Sequence, residues 1–504
     1  MPESVNIRAN GHSSGKTRAT QAARQKGLNA ARIAEKIARV KVIRLLAILL
    51  ALTITSRTHG AANERPHIII ILADDFGYGD LSCYGGKIPT PNLDRLAKEG
   101  IRFTQFYTAS PICSPSRCGL LTGQFPARWR ITSYLQTRAG NRACQQDDFL
   151  DPTAPTLPRT LKAAGYATAH IGKWHLGGGR DVTNAPKFAA YGYDLGLGTW
   201  ESPERATALG VQFAPWDERT EPGQVPRHER TRWMIDQTVE FIQSRQGTPC
   251  FVNLWLDDTH TPFRPSADQL RAAGVASEKP LPKDRFRAVL HEMDAQIGRL
   301  THRLRELGLE RNTLLLFLGD NCALPTFNQS RVGELRGSKL SLFEGGIRVP
   351  FIVRWPDKLP KGKVDQQTVI SAVDFFPTLC RVANAPLPAG VTFDGEDMSA
   401  ALFGKPTTRR ERLFWEYGRN TNSFAFPQDA YHRSPNLAVR EGPWKFFVNA
   451  DGTSAQLYDV VSDARETKDL TKDKPVLASR LHEAVLSWRK SLPQYSRFRF
   501  EGSR

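Results

Sequence analysis

The sequence predicts an α/β protein with a large, mainly parallel sheet flanked by helices and a smaller C-terminal α+β domain that carries an antiparallel sheet. Three observations support this prediction. Short apolar runs have the length and composition of strands covered on both faces. Amphipathic helical segments separate these runs, which is the alternation of an α/β fold. Beyond about residue 394 the pattern changes to apolar and polar residues alternating around turns.

Each element of the large domain has its own signature in the sequence. The predicted strands are the apolar runs His67–Leu72, Pro249–Leu256, Asn312–Leu318 and Val349–Trp355. The predicted helices are amphipathic segments that close on glycine or on Asn-Ala-Pro, at 91–100, 156–165, 286–308 and 374–385. Ligands of such sheets collect beyond the carboxyl ends of the strands, so we expect the functional residues there.

The smaller C-terminal domain is predicted to span residues 394–504. Between residues 437 and 463, apolar and polar residues alternate around turn signals, which predicts a small antiparallel sheet. Residues 475–492 have the pattern of a terminal helix. In the large domain, residues 198–233 show no clear period, and we expect long surface loops there.

The first 62 residues are typical of a targeting segment. A basic stretch leads into the apolar run Leu45–Ile54, and small residues follow at His59–Ala62, which is the order of a signal peptide and its cleavage zone. The apolar run is about half of the ~20 residues that span a bilayer, so we expect export and cleavage rather than a permanent anchor. The long basic region also leaves a later start codon open. The large domain is therefore predicted at 63–393.

The formal charge of +18 is unevenly distributed along the chain. Residues 1–57 hold 11 Lys and Arg against 2 Asp and Glu, so half of the excess lies in the predicted leader. The remaining excess is moderate for a chain of 504 residues. It is compatible with an anionic substrate and does not favour a nucleic-acid partner.

Seven cysteines in an exported chain are an odd number, so at least one is unpaired or pairs between chains. Besides Cys113, six cysteines allow up to three disulfides or ordinary buried packing, and the sequence does not choose between them. These six are Cys83, Cys118, Cys144, Cys250, Cys322 and Cys380. Their spacing does not indicate a zinc site.

Oxygen ligands follow two of the predicted strands. Asp74 and Asp75 come directly after the first strand, and Asp320 and Asn321 follow another strand in the same manner. An isolated Asp pair in a turn is more often solvated or capping. Two such pairs at one edge of a parallel sheet predict a cage for a divalent cation, Ca²⁺ or Mg²⁺.

The segment CSPSRCGLLTG begins at Cys113, and a helix is predicted over its last eight residues, from Ser116 to Gly123. The helix N-terminus would favour negative charge on Cys113. Pro115 fixes the turn, and Arg117 would lie within one helical turn of the cysteine, directed at an anion. From these residues alone, Cys113 can be a nucleophile, a metal ligand, half of a disulfide or part of the core.

This segment resembles the C-x-P-S-R-x-x-L-x-T-G signature of the formylglycine-dependent sulfatases, a family with an alkaline-phosphatase-like fold. Within that family the chain looks closer to arylsulfatases and N-acetylgalactosamine-6-sulfatases than to choline sulfatases. The resemblance runs from about Pro66 to the C-terminus. It includes HIIIILADDFGYGDLSCYGG near the start, GYATAHIGKWHLG, RGSKLSLFEGGIRVPFIVRWP and the late segments DGEDMSAALFG and LYDVVSDARETKDL.

The resemblance implies a role for each matching residue. Cys113 would be oxidised to Cα-formylglycine by a formylglycine-generating enzyme during export. Ca²⁺, rather than Mg²⁺, would be held by the modified residue 113 together with Asp74, Asp75, Asp320 and Asn321. Arg117 would stabilise the formylglycine hydrate with the help of Lys173 and His175, and the sulfate group would lie among Lys173, His260 and Lys339.

The implied reaction is hydrolysis of a sulfate ester, with a hydrated aldehyde at residue 113 as the nucleophile. His260 would protonate the leaving oxygen with the help of Lys339, and His175 would take the proton when sulfate is released. Export and the basic chain favour a sulfated carbohydrate as the substrate. We expect an exported enzyme, periplasmic or secreted, without a stable membrane span once the signal peptide is cleaved.

Two alternatives remain open at this point. The first is a phosphonate or phosphate ester hydrolase with the same aldehyde nucleophile. The second is a protein that binds sulfated glycans with an unmodified Cys113 and has no turnover. In addition, each lysine or histidine of the set, taken alone, is more often an ordinary polar residue at a strand end or in a loop.

Some residues are expected to lie outside the site. His291, Glu292 and Asp294 look like a metal motif but are interpreted as the solvated face of a helix. Cys118 is expected to be structural. Cys322 stands where many relatives have glycine, so a positive φ there would strain the backbone.

Overall fold

The computed structural model describes residues 65–203, 223–420 and 422–493, together with Gln212–Phe213 and a few isolated positions before residue 65. The predicted leader, its apolar run and its cleavage zone lie outside the described residues. Within the described part of the chain, no helix combines the length and the apolar character that crossing a bilayer requires.

The described residues contain a large sheet, a small antiparallel sheet and two short strand pairs. The strands are β1 (His67–Ala73), β2 (Ile101–Phe103), β3 (Phe106–Tyr107), β4 (Ala167–Gly172), β5 (Leu195–Gly198), β6 (Gln212–Phe213), β7 (Gln224–Val225), β8 (Cys250–Leu256), β9 (Thr313–Gly319), β10 (Phe351–Arg354), β11 (Lys363–Asp365), β12 (Ile370–Ser371), β13 (Leu413–Glu416), β14 (Leu437–Glu441), β15 (Trp444–Val448) and β16 (Gln456–Asp459). The α-helices are α1 (Pro91–Glu99), α2 (Cys113–Thr122), α3 (Arg138–Ala143), α4 (Leu157–Ala163), α5 (Arg230–Ser244), α6 (Ala267–Ala272), α7 (Pro282–Glu306), α8 (Glu344–Ile347), α9 (Phe375–Val382), α10 (Ser399–Leu402) and α11 (Pro475–Ser491).

The large sheet has eight strands in the order β11-β2-β10-β9-β1-β8-β4-β5. Strands β9, β1, β8, β4 and β5 run parallel to one another, β10 runs antiparallel to both β9 and β2, and β11 is parallel to β2. The prediction of a mainly parallel sheet is therefore confirmed, with one reversed strand near the edge. The four apolar runs predicted as strands correspond to β1, β8, β9 and β10.

Helices cover both faces of this sheet because its central strands β1, β8 and β9 are buried at nearly every position. In β1, Ile68, Ile70 and Leu72 pack into the same cluster as α2, α4 and α9. The alternate residues Ile69 and Ile71 pack into a second cluster with α1, α5 and α7. Such double-sided burial requires the near-continuous apolar runs seen in the sequence.

The predicted C-terminal antiparallel sheet is also confirmed. Strands β13, β14, β15 and β16 pair in sequence order, and α11 follows them. From α11, the Trp488 ring stacks on Phe414 of β13 at 5.0 Å and meets the edge of Phe125 at 5.8 Å. Trp488 and the buried residues of this sheet belong to the cluster that also covers α2, so the C-terminal segment supports the helix that begins at Cys113.

Two local predictions are wrong. Asp294 does not lie on a solvated face, because it is 2% exposed and accepts hydrogen bonds from the backbone N–H groups of Asn92 and Leu93. It is an N-terminal cap for α1, supplied by α7. The segment 198–233 is not loop throughout, because α5 begins at Arg230 within it.

All seven cysteines are free thiols, so none of the disulfides that the sequence allowed is present. Cys118 is fully buried in the apolar cluster around α2. Cys322 is also fully buried, and it is not among the residues with positive φ. The backbone strain considered for Cys322 therefore does not arise, since the chain passes this position in a conformation open to any residue.

Candidate active site

Helix α2 places Cys113 at the centre of the candidate site. The preceding Ile112 is extended, with φ −152° and ψ 156°, and the helix begins at Cys113 itself rather than at Ser116 as the sequence suggested. Pro115 fits because it lies in the first turn, where its missing N–H is not needed. All ten residues of the helix are buried. Cys113 therefore lies at the N-terminal end of a rigid, enclosed helix.

Burial raises the pKa of the Cys113 thiol to about 11, and Lys173 and Lys339 offset this only in part. The helix N-terminus was expected to favour negative charge on Cys113. The cost of burying a thiolate outweighs that effect, so the unmodified side chain is a neutral thiol at neutral pH.

The pairing of β1 with β9 brings the two oxygen-rich pairs together. Ala73 lies opposite Gly319 in the register, and the Asp320 N–H donates to the Ala73 carbonyl at 3.0 Å. Ligand atoms of Asp74, Asp75, Cys113 and His260 lie within 4.8 Å of one another. Of the predicted metal ligands, this cluster contains Asp74, Asp75 and Cys113, and His260 joins it from the loop after β8. Asp320 and Asn321 lie beside it, bonded to Asp75 at 3.0 and 2.8 Å.

The residues around this point suit a hard cation. The Oδ1 atom of Asn321 is buried and accepts no hydrogen bond, and Asp74 Oδ1 accepts none either, although it lies 3.3 Å from Arg117 Nη2. Asp320 is engaged differently: its Oδ1 accepts from the N–H groups of Asp75 and Asn321, and its Oδ2 accepts from Arg117. Buried oxygens without donors are costly unless a cation or water satisfies them, and oxygen donors are what Ca²⁺ prefers.

Three cations surround the carboxylates. Lys173 Nζ lies 2.6 Å from Asp74 Oδ2, and Lys339 Nζ lies 2.6 and 2.7 Å from the two oxygens of Asp75. The Arg117 guanidinium lies 2.7 Å from Asp320 and 3.3 Å from Asp74. Burial alone would raise the pKa of Asp74, but Lys173 and the other cations together hold it well below its usual value.

The site opens into a cavity of about 390 Å³. Five of the six residues predicted to be catalytic line it: Cys113, Lys173, His175, His260 and Lys339. The sixth, Arg117, is fully buried behind the wall and donates to the Lys173 carbonyl at 2.7 Å. The structure thus collects residues from four separate segments around one small space.

The two histidines of the cavity are held in different ways. The Nε2 atom of His175 is hydrogen-bonded to the Leu135 carbonyl at 3.0 Å, and burial holds the pKa of His175 well below its usual value. His260 Nε2 lies 3.3 Å from Lys339 Nζ and 3.5 Å from Asp75 Oδ2. Burial lowers the pKa of His260 to about 4, although Asp75 opposes this.

Three residues at the site hold left-handed backbone conformations that are uncommon for non-glycine residues. They are Asp75 at φ 54°, His175 at φ 55° and Leu340 at φ 74°. Each lies in the metal cluster or lines the cavity. Such strain persists where the surrounding structure determines the conformation strongly, which is common at functional sites.

Two arginines that the sequence did not single out hold the loops of the site. Arg331 donates from Nη2 to the Asp75 carbonyl at 2.6 Å, pairs with Asp80 and lies 4.0 Å from the Phe286 ring. Arg227 donates to the His260 carbonyl at 2.6 Å. These two arginines were not identified from the sequence because their partners lie far away along the chain. In addition, Arg227 lies in the segment 198–233, which was interpreted as a surface loop.

The fold and the charge of this cavity define the class of protein first. Paired carboxylates follow the ends of parallel strands and face cations and a histidine across a small cavity. This arrangement, on an alkaline-phosphatase-like fold, suits an enzyme that hydrolyses an anionic ester.

Comparison with known proteins gives the family. Residues 66–385 match the family model described as Sulfatase, and residues 338–491 match that of N-sulphoglucosamine sulphohydrolase, C-terminal. The chain is similar to N-acetylgalactosamine-6-O-sulfatase of Bacteroides thetaiotaomicron, with 29% identity covering 86% of this chain and 94% of the relative. Human arylsulfatase A is 31% identical, with 83% and 81% covered. A solved structure of Ps i-CgsB with k-i-k-neocarrahexaose aligns with a TM-score of 0.69 at 25% identity, covering 87% of this chain and 96% of the other. The chain belongs to the sulfatase family and is a sulfuric ester hydrolase.

Proposed function

We propose that the protein hydrolyses the sulfate ester of a sulfated carbohydrate and that Cys113 is matured to Cα-formylglycine for this reaction. The observation that carries the proposal is the convergence of Cys113, Lys173, His260 and Lys339 on one cavity beside the carboxylates. Two similar proteins support the substrate class, because one is named N-acetylgalactosamine-6-O-sulfatase and the other was solved in complex with k-i-k-neocarrahexaose.

Formylglycine at residue 113 would supply two geminal hydroxyls as its hydrate, one to take up the sulfuryl group and the other to expel it as sulfate. A serine could not provide the second hydroxyl. The maturation partner would be a formylglycine-generating enzyme that acts during export. This proposal includes removal of the leader 1–62, which N-terminal sequencing of the exported protein would check.

Ca²⁺ is the cofactor that we propose for the oxygen cluster, held by Asp74, Asp75, Asp320 and Asn321 with the modified residue 113. The buried Asn321 Oδ1, which accepts no hydrogen bond, supports this assignment, as does Asp74 Oδ1, which has only the Arg117 contact at 3.3 Å. A bound Ca²⁺ would withdraw negative charge from the sulfate oxygens as the ester is cleaved. Mg²⁺ is less suited, because it keeps several waters in a strict octahedron, whereas this cluster is largely buried.

The side chains of the chain itself divide the remaining work. Lys173 and Lys339 both lie on the cavity wall, and we assign them to the sulfate oxygens, where their charge stabilises the transition state. The Thr261 carbonyl lies 2.6 Å from His260 Nδ1, so Nε2 is the nitrogen available for proton transfer. We assign to His260 the proton that the departing alcohol oxygen receives. A carbonyl only accepts hydrogen bonds, so the ring holds its own proton on Nδ1, and Nε2 takes the proton that it delivers from Lys339 Nζ, 3.3 Å away.

Arg117 and His175 complete the proposed machinery. Arg117 holds Asp320 with two N–H groups and lies 3.3 Å from Asp74, so it fixes the cluster from behind. His175 Nδ1 is buried and has no hydrogen-bond partner among the described residues. It is therefore our candidate for the base that takes up the proton when sulfate leaves.

The test is mass spectrometry of the tryptic peptide 103–117 from protein expressed with the formylglycine-generating machinery. We expect an aldehyde at residue 113 and turnover of a sulfated saccharide. Cys113→Ser should abolish turnover, while Cys118→Ala, five residues further along the same buried helix, should keep the aldehyde and the activity.

Other outcomes would overturn the proposal in identifiable ways. A persistent thiol, in a host that matures a known sulfatase in parallel, would favour a glycan-binding protein without turnover. An aldehyde together with a higher kcat/KM on phosphate or phosphonate esters than on sulfate esters would favour the alternative hydrolase.

A further inference from the structure

The wall of the cavity that contains Cys113 also carries an arginine and a tryptophan that the proposed reaction does not use, Arg180 and Trp200. Arg180 lies in the segment after β4, and Trp200 lies in the segment after β5. Because these strands run parallel to β1 in the same sheet, both segments leave it at the edge where the carboxylates lie. The described residues of the cavity wall include no Asp or Glu. The cavity therefore has a positive group beyond the lysines assigned to the scissile sulfate.

Hydrogen bonds and close packing hold the two segments against each other. Backbone N–H groups of residues 174–175 donate to the carbonyls of residues 200–201, each at 3.2 Å. Gly178 fits so closely that a Cβ there would lie 2.3 Å from the Pro203 nitrogen, so only glycine is accommodated. Since the same segments position His175, the position of Arg180 is fixed relative to the catalytic groups.

Glu201 holds the Arg180 guanidinium by one edge only. The Arg180 Nε atom donates to Glu201 Oε1 at 2.7 Å, and the Glu201 side chain is 7% exposed. The Arg180 side chain is 38% exposed, and its terminal amino groups, Nη1 and Nη2, make no hydrogen bond to the described residues. A guanidinium donates through five N–H groups in a rigid fork, so most of this capacity is left for a ligand. Because the side chain lines the cavity, that ligand is one bound in the cavity.

The size of the cavity places Arg180 within reach of the substrate. A volume of about 390 Å³ suits a ligand the size of a sugar, so a sugar whose sulfate lies beside Cys113 extends to the other groups of the wall. Trp200 is half-buried on this wall, and the face of an indole packs against the apolar face of a sugar ring.

We propose that Arg180 binds a second anionic group, a carboxylate or another sulfate, on the sugar ring that carries the scissile sulfate, while Trp200 packs against that ring. This inference rests on the proposed function and narrows the substrate to sugars that bear two negative groups. The planar fork of an arginine matches the paired oxygens of either anion. Glu201 is a positioning residue, because it binds only Nε and leaves Nη1 and Nη2 to the substrate.

The first experiment compares three substrates of the matured enzyme: a monosulfated hexosamine, the same sugar with a second sulfate, and a sulfated uronic acid. Wild type should have the highest kcat/KM on one of the two doubly charged sugars, which identifies the group that Arg180 binds. Arg180→Met should lower kcat/KM on that sugar by about tenfold or more, the effect of losing a charge-assisted hydrogen bond, and leave the monosulfated sugar nearly unchanged. The same loss on all three sugars would overturn the proposal, as would a wild type that prefers neither doubly charged sugar.

The second experiment separates this inference from the proposed function, because it needs no turnover. Calorimetry on the Cys113→Ser protein measures affinity for the same three sugars, with and without Arg180→Met. Tighter binding of a doubly charged sugar that Arg180→Met removes would support the inference even if no ester is hydrolysed. Hydrolysis of the sulfated sugars, with affinities that Arg180→Met leaves unchanged, would overturn the inference and leave the proposed function intact.

Two further variants guard against a loss of structure. Arg180→Met removes the Arg180 contact from the buried carboxylate of Glu201, and losing one member of such a pair destabilises the fold. The double variant Arg180→Met/Glu201→Gln removes both charges and should show the same loss of preference. Arg180→Lys keeps the charge without the fork and should restore only part of it.

The matched control is Arg410→Met, which changes an exposed arginine outside the cavity wall and should behave as wild type. A wild-type preference in the double variant would show that the altered surroundings of Glu201 caused the loss in Arg180→Met. That result would overturn the proposal.

Discussion

At the scale of single residues, the orientation of His260 gives the most specific expectation. Its Nδ1 lies 2.6 Å from the Thr261 carbonyl, and Arg227 binds the carbonyl of His260 itself at 2.6 Å. Both contacts fix the ring so that Nε2 lies near Lys339 and Asp75. A ring held in this way can pass a proton from Lys339 to an oxygen in the cavity without first reorienting.

His260→Gln should therefore lower kcat/KM on a sulfated saccharide by about 10²–10⁴, the usual contribution of a general acid. The loss should be much smaller on an aryl sulfate with an acidic phenol, because a phenolate leaves without needing a proton. Steady-state kinetics on the two substrates measures the difference. His302→Gln, an exposed histidine on α7, is the control. Equal losses on both substrates would contradict the role in proton transfer and indicate a role in binding.

The residues that bear the chemistry were predictable where the signal is local. Asp74 and Asp75 follow β1 directly, and Cys113 and Arg117 lie four residues apart in one short segment. Arg331 was not predictable in this way. Its partner lies 256 residues away along the chain, at Asp75, so only the folded chain shows what it binds.

At the scale of helices and strands, Asp294 illustrates how one element stabilises another. It lies on α7 and accepts hydrogen bonds from the N–H groups of Asn92 and Leu93, at 3.1 and 2.8 Å, in the first turn of α1. The residue before α1, Thr90, makes no side-chain cap of its own. The helix therefore depends on a neighbour for the donors that its first turn leaves unpaired.

Asp294→Ala should lower the free energy of unfolding by about 2 kcal/mol, because buried N–H groups of α1 lose their acceptor. The midpoint of urea unfolding measures this, and kcat/KM should stay unchanged. Glu292→Ala removes a half-buried carboxylate from the same helix and should shift the midpoint much less. If both variants lose the same stability, the cap does not carry the effect.

The pattern of apolar runs was sufficient to predict the central strands, since burial on both faces leaves a continuous signal at β1, β8 and β9. The direction of β10 was not predictable from its composition, because a buried strand of Phe351–Arg354 is apolar whichever way it runs. The sequence predicts the start of α2 at Ser116, three residues after the observed start, because Pro115 looks like a residue that precedes a helix. Proline is in fact tolerated in the first turn of a helix.

At the scale of the whole molecule, a buried ionic cluster connects the C-terminal sheet to the segment after the active site. Lys445 of β15 lies 2.8 Å from Glu344 of α8 and 3.2 Å from Glu466, and the three side chains are fully buried. Glu466 also accepts a hydrogen bond from the Glu344 N–H at 2.7 Å. These contacts join residues 101 and 122 positions apart, so no local pattern in the chain predicts them.

The two glutamates of this cluster differ in proton affinity. Burial raises the pKa of Glu466 from 4.5 to about 7, because Lys445 compensates only in part and Glu344 repels it. Burial acts on Glu344 in the same direction, but Lys445 and two arginines lower its pKa to about 2. A carboxyl whose pKa is raised on folding stabilises the folded protein below its unfolded pKa. That contribution is lost as the pH rises through the folded value.

Glu466→Gln should remove this pH dependence, because the amide keeps an oxygen for the Glu344 N–H and cannot ionise. Relative to the variant, the wild type should be most stable near pH 4.5 and should lose stability progressively up to about pH 7. Thermal unfolding of both proteins across this range measures the difference in Tm. Glu483→Gln, an exposed glutamate on α11, should show a constant difference. A constant difference for Glu466→Gln as well would mean that Glu466 stays ionised in the folded protein and that Lys445 neutralises it fully.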